Sequence, residues 1–127
     1  MSASRLRVSI IMPAFNVAPF VVEAIRSALA QSLAELEIIV VDDASTDESV
    51  RVVAELAAGD GRVRLLRHET NRGAAAARNT ALAAAQGDWV ALLDADDWME
   101  PQRLTTLLDA AARTGADWVA DDMRIVD

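Results

Sequence analysis

Short, mostly apolar runs alternate along this chain with segments whose apolar residues recur every three or four positions. Val8–Met12 is one such run, stopped by Pro13, and it reads as a strand buried on both faces. Pro19 suits the first turn of a helix in which Val21, Ile25, Ala28 and Leu29 share a face. Glu37–Val41 is a second strand, ending abruptly in Asp42-Asp43. Ser45 and Glu48 have the spacing of a capping box, and Val50, Val53, Leu56 and Ala57 form the buried stripe of the next helix. Gly59-Asp60-Gly61 ends that helix, and Val63–Leu66 follows as a third strand.

The loop His68–Gly73 leads into an alanine-rich helix, Ala74–Ala85, stopped by Gly87. Asp88–Leu93 is the most apolar strand, hence expected at the sheet centre, and it runs into Asp94-Ala95-Asp96-Asp97. Pro101 opens a helix carrying Leu104, Leu107, Leu108 and Ala111, closed by Gly115, and Trp118–Ala120 starts a last strand. This alternation predicts an α/β fold: a Rossmann-like, doubly wound, mainly parallel sheet with helices on both faces. Ligands of such sheets bind outside the carboxyl ends of the strands.

Composition narrows the chemistry. With 127 residues the chain can bury one core, and it contains no cysteine, which excludes disulfides, thiolate metal sites and cysteine nucleophiles. The formal net charge of −8 argues against a nucleic-acid partner. An acidic protein still binds phosphates when a divalent cation lies between the two charges. Every basic residue is an arginine, so a P-loop, a Schiff base and a lysine-dependent receiver pocket are all ruled out. No apolar run approaches the ~20 residues of a transmembrane helix.

Two predicted strands end in carboxylates, Asp42-Asp43 and Asp94-Ala95-Asp96-Asp97. In an extended segment Asp94 and Asp96 would point to one side and could share a ligand. Such crowding is costly unless hydrogen-bond donors or a cation offset it, and Mg²⁺ or Mn²⁺ is the natural partner for oxygen ligands. Ordinary turn chemistry explains Asp42-Asp43 taken alone equally well. Asp97 reads as a cap of the Trp98–Pro101 turn. His68 reads as a surface histidine, and Trp89, Trp98 and Trp118 as packing against the sheet. Gly73 suits either an anion-binding helix start or a left-handed turn.

Four motifs in order resemble the family 2 glycosyltransferases. They are Ser9–Asn16, Val40–Asp47, Asn71-Arg72-Gly73 with Ala77-Arg78-Asn79, and Trp89–Asp97 with its DxD pattern. The resemblance covers nearly the whole chain and implies the nucleotide-sugar-binding part of an A-type glycosyltransferase fold, incomplete at its C-terminus. It implies that Pro13, Ala14 and Phe15 line the nucleoside pocket, that Asp42 accepts from the base, and that Arg78 approaches the base or diphosphate. Asp94 would bind the ribose or a metal-bound water, and Asp96 would ligate Mn²⁺ or Mg²⁺ between the phosphates. Trp98 would lie near the donor sugar.

The implied reaction is an inverting transfer from a nucleoside-diphosphate sugar, a UDP-sugar first, to a glycan or lipid-linked acceptor hydroxyl in envelope or exopolysaccharide synthesis. The family's general base and acceptor surface follow the DxD strand, so these 127 residues are expected to be a fragment or dependent subunit, inactive alone. Asp121 or Asp122 is a poor substitute base. A cytoplasmic location is expected, peripheral to the inner membrane surface, and self-association of an incomplete sheet edge stays open. Two alternatives are a non-catalytic nucleotide- and metal-binding module and a nucleotidyltransferase-like protein. The second would call for a glycine-rich basic loop where Pro13–Asn16 stands.

Overall fold

The computed structural model describes residues 5–120; Asp121 and Asp122 lie outside them. Four strands and four helices alternate: β1 Val8–Ala14, α1 Ala18–Leu29, β2 Leu36–Asp42, α2 Ser49–Gly59, β3 Val63–Arg67, α3 Ala74–Ala84, β4 Trp89–Leu92 and α4 Arg103–Thr114. All pairings are parallel, in the order β3-β2-β1-β4. The doubly wound sheet expected from the alternation is therefore present.

Period-two alternation sorts the strand residues between two faces. Val8, Ile10, Met12, Ala14, Leu36, Ile38 and Val40 face the larger core, with Val21 and Ile25 of α1, Val53 of α2, and Leu104 and Leu108 of α4. Ile11, Ile39 and Val41 face the other way, onto Ala77 and Ala81 of α3. Three helices thus cover one face and α3 the other. The winding reverses between β1 and β4, because β1 to β3 proceed in one direction and β4 returns to the far side of β1. The crevice at that reversal is the preferred ligand position of such a sheet.

Several expectations are corrected. The central strands are β1 and β2, while β4 borders the described sheet and leaves Val90 and Leu92 exposed; apolar content alone does not rank strands by position. Pro13 does not end β1, which runs on to Ala14. The last β1–β4 pair is Ile11 with Leu92, so the missing N–H of Pro13 falls beyond the end of β4 and breaks no ladder bond. Trp118–Ala120 has no regular structure, and Trp118 is 82% exposed. Only Trp89 of the three tryptophans packs on the core; Trp98 is exposed.

The helix after β2 starts at Ser49, with no side-chain cap from its N-cap residue Glu48. Asp47 takes the expected capping role instead, its Oδ1 accepting from the Ser49 N–H at 2.9 Å. Ser45 is occupied elsewhere, as described below.

Candidate functional site

The loops after all four strands open at one edge of the sheet. Those after β1 and β2 are tied together by side chains. Asn16, at φ 52°, accepts at Oδ1 from the backbone N–H of Thr46 (2.8 Å) and of Asp47 (3.3 Å). Its own N–H donates to Ser45 Oγ at 2.9 Å. The Val17 and Ala18 N–H groups, at the start of α1, donate to Ser49 Oγ and Asp47 Oδ2. Asparagine tolerates this left-handed backbone better than most residues because its short amide bonds locally. The knot places Phe15, which is exposed, beside the end of β2, whereas Ala14 is buried and Pro13 half-buried.

Asp42 is buried, and Ser45 supplies donors to both of its oxygens: the hydroxyl at 2.6 Å and the backbone N–H at 3.0 Å. Asp43 is also buried and turns to the opposite side. It accepts from the N–H groups of Arg72 (2.9 Å) and Gly73 (2.8 Å) and faces His68 Nδ1 at 2.8 Å. Burial pushes the Asp43 carboxyl up, but these donors together outweigh it and hold the group below its ordinary range. The first acidic pair is thus satisfied by protein donors, and no cation is needed to offset it.

The same contacts correct the reading of His68, which is buried rather than on the surface. They also resolve Gly73. At φ 94° and ψ 161° it adopts a backbone that essentially only glycine takes, and the anion at this helix start is Asp43. No spacing rule could have singled out His68 or Asp43. The available signal was a lone histidine followed by Asn71-Arg72-Gly73 just after a strand.

The second acidic cluster behaves differently. Asp94–Asp97 is a turn, closed by the Asp97 N–H to the Asp94 carbonyl at 3.0 Å, and not the extended segment expected. The turn gathers Asp94, Asp96 and also Asp97, whose carboxylate oxygens lie within 4.8 Å of one another, all exposed. Asp97 therefore joins the cluster. Lost hydration at its position, then the charges of Asp96 and Asp94, push its carboxyl up. Three carboxylates at this separation favour a hard cation with oxygen ligands.

Arg78 of α3 faces the cluster, with Nη2 at 3.5 Å from Asp94 Oδ1. Arg78, Leu92, Leu93, Asp94 and Asp97 line a shallow cleft of about 260 Å³. It lies where the winding reverses. Cation, carboxylates and apolar wall together suit a phosphorylated ligand more than a neutral one. Of the residues expected at the site, Arg78 and Asp94 line this cleft, and Asp96 stands beside Asp94 in the carboxylate cluster. Phe15 and Asp42 belong to the neighbouring loop knot.

Known proteins resemble this chain in sequence and fold. The succinoglycan biosynthesis protein ExoO of Rhizobium meliloti is 42% identical over 119 residues, covering 94% of this chain and 34% of that protein. The chain thus spans about a third of the length of this relative. The crystal structure of Staphylococcus aureus TarS in complex with UDP superposes with a TM-score of 0.81 at 29% identity, covering 88% of this chain and 34% of that one. The mannosyltransferase PcManGT of Pyrobaculum calidifontis, in complex with GDP-Man and Mn²⁺, gives 0.78 at 34% identity, covering 86% and 33%. The glycosyl transferase family 2 model matches residues 9–127, in keeping with the ordered motifs, and the chain belongs to that family.

Proposed function

We propose that this chain is the donor-binding part of a glycosyltransferase, holding a nucleoside-diphosphate sugar through a divalent cation for transfer of the sugar to an acceptor hydroxyl. The observation that carries the reading is the Asp94–Asp97 turn, which collects three carboxylates opposite Arg78 at the reversal of the sheet. A divalent ion there, Mn²⁺ or Mg²⁺, would be held by Asp96 and Asp94, and it would act as a Lewis acid on the leaving diphosphate. Arg78 adds a fixed positive charge beside the phosphates. Phe15 offers an exposed ring on which a base can pack, and Asp42 offers its remaining lone pairs to base N–H groups. Pro13 and Ala14 precede Phe15 at the end of β1 and fix where that ring stands.

The relatives support the choice of ligand. TarS is seen with UDP and with UDP-GlcNAc, and the mannosyltransferase with GDP-Man and Mn²⁺. ExoO supports an exopolysaccharide or envelope glycan as acceptor. The described residues contain no helix long and apolar enough to cross a membrane.

Titration calorimetry with UDP and GDP, with and without Mn²⁺, tests the proposal. Heat of binding is expected only with the metal, and Asp96→Ala should abolish it. Unchanged heat in Asp96→Ala would remove the metal assignment, and no binding of either nucleotide with Mn²⁺ would remove the donor reading.

A further inference from the structure

Buried Asp43 and His68 and half-buried Thr80 form a chain of contacts that the donor reading does not use. Asp43 Oδ1 meets His68 Nδ1 at 2.8 Å, and His68 Nε2 meets Thr80 Oγ1 at 2.8 Å. An ionised carboxylate can only accept, so Nδ1 carries a proton. The Thr80 hydroxyl also lies 3.0 Å from the Ala76 carbonyl, and its one proton can serve that carbonyl or the Nε2 lone pair. At its other end Asp43 grips the Arg72 and Gly73 N–H groups, and its carbonyl accepts from Asn71 Nδ2 at 3.2 Å. The His68 N–H completes the tie to β2 by donating to the Asp42 carbonyl at 2.8 Å.

The chain therefore holds α3 at its N-terminus and again at Thr80, and Arg78 lies between these two grips. Further ties lie past Thr80, toward the far end of the helix, where Arg64 Nη1 donates to the Ala84 carbonyl at 3.0 Å and the Gln86 N–H donates to Glu37 at 2.8 Å. The buried contacts of α3 with the sheet are Ala77 and Ala81, and methyl groups offer no interlocking side chains to resist rotation about the helix axis. A 20° rotation at a side-chain radius of about 6 Å displaces a side-chain tip by roughly 2 Å. That is enough to separate Arg78 from a phosphate.

We propose that Asp43 and His68 are positioning residues for the donor site: their pairing with Thr80 fixes the rotation of α3 and so sets where Arg78 stands opposite Asp94. This inference rests on the donor reading above.

The test measures UDP binding in Mn²⁺ by calorimetry for wild type, His68→Ala, His68→Asn, Thr80→Val and Glu37→Gln, below each protein's unfolding transition. Groups that orient a ligand-holding residue typically contribute 10–100-fold, so His68→Ala is expected to weaken UDP by about that factor. His68→Asn, whose amide can still donate to Asp43, should recover part of the loss. Thr80→Val, a near-isosteric loss of the hydroxyl and its contacts with His68 and the Ala76 carbonyl, should weaken binding several-fold and keeps the test alive if His68→Ala does not fold. Glu37→Gln disturbs the buried polar cluster that ties down the far end of α3, and with both grips around Arg78 intact it should leave UDP affinity unchanged.

Wild-type affinity in His68→Ala or Thr80→Val overturns the inference alone. Equal weakening by Glu37→Gln also overturns it, since general loosening would then explain the effect. Failure of the wild type to bind UDP or GDP overturns the donor reading and this inference with it.

Discussion

Glu37→Gln isolates a buried charge. Glu37 is 3% exposed near the start of β2, and its carboxylate accepts three hydrogen bonds. Ser9 Oγ (2.6 Å) and the Gln86 N–H (2.8 Å) reach Oε2, and Arg64 Nη1 (2.9 Å) reaches Oε1. Burial pushes its carboxyl up, but the Ser9, Gln86 and Arg64 donors outweigh that and hold it below the ordinary glutamate range. A glutamine can keep its oxygen toward Ser9 and Gln86, and it then points an amide donor at the guanidinium.

Two charge-assisted bonds become neutral, at a loss of about 1 kcal/mol each. The Arg64 bond adds less, because Arg64 is about a third exposed and keeps the Ala84 carbonyl. Relief of the carboxylate's desolvation offsets part of this, leaving roughly 2 kcal/mol at neutral pH.

The sign of the pH dependence follows from linkage. A folded-state pKa below the unfolded value gives stability that is complete above the unfolded value and is lost as pH falls through the folded one. The wild-type advantage over Glu37→Gln should therefore be largest at pH 7 and close on acidification below about pH 4. Asp43, Asp47 and Asp60, also held low, titrate in both proteins and cancel in the difference. Urea unfolding followed by circular dichroism at pH 7, 5, 4 and 3 gives the gap. A gap under about 0.5 kcal/mol at pH 7, or one that persists unchanged to pH 3, would refute the reasoning.

Two further substitutions probe backbone geometry. A Cβ at Gly87 would lie 2.7 Å from the Ser9 nitrogen and 2.8 Å from the Val8 carbonyl carbon, backbone atoms of β1 that cannot swing aside. Gly87→Ala is expected to destabilise by about 2–3 kcal/mol in the same urea assay, and a loss under 0.5 kcal/mol would show that the turn relaxes freely. Ala44 sits at φ 63°, which costs a non-glycine residue on the order of 1 kcal/mol. Ala44→Gly should raise the thermal midpoint slightly, strain relief exceeding the entropy that glycine adds to the unfolded chain. A lowered midpoint would show that no such strain is present.

Much of the fold was legible in the residues themselves. Short β-branched runs such as Ile38–Val41, bounded by polar residues, fit strands covered on both faces, and the intervening 3.6-residue stripes supply the helices that cover them. The strand ends, and with them the acidic clusters, could be placed because hydrophobic runs stop where the sheet meets solvent. Position within the sheet was not legible. The run around Val90 and Leu92 reads as central but borders the described sheet, since strand order is set by crossover connections that local pattern does not encode.

The acidic clusters show the same division. Sequence spacing brought Asp94 and Asp96 together, but an i to i+3 turn, not a pleat, does the gathering, and it admits Asp97 as well. Sequence could not distinguish Asp42-Asp43 from that cluster, because both are strand-end carboxylates. Only the folded chain brings Ser45 onto Asp42, and His68, Arg72 and Gly73 onto Asp43. Those partners come from as far as 30 positions away, and their donors turn one acidic pair into an internal clamp. The other pair, with Asp97, stays exposed and open to a cation, with Arg78 standing 3.5 Å from Asp94.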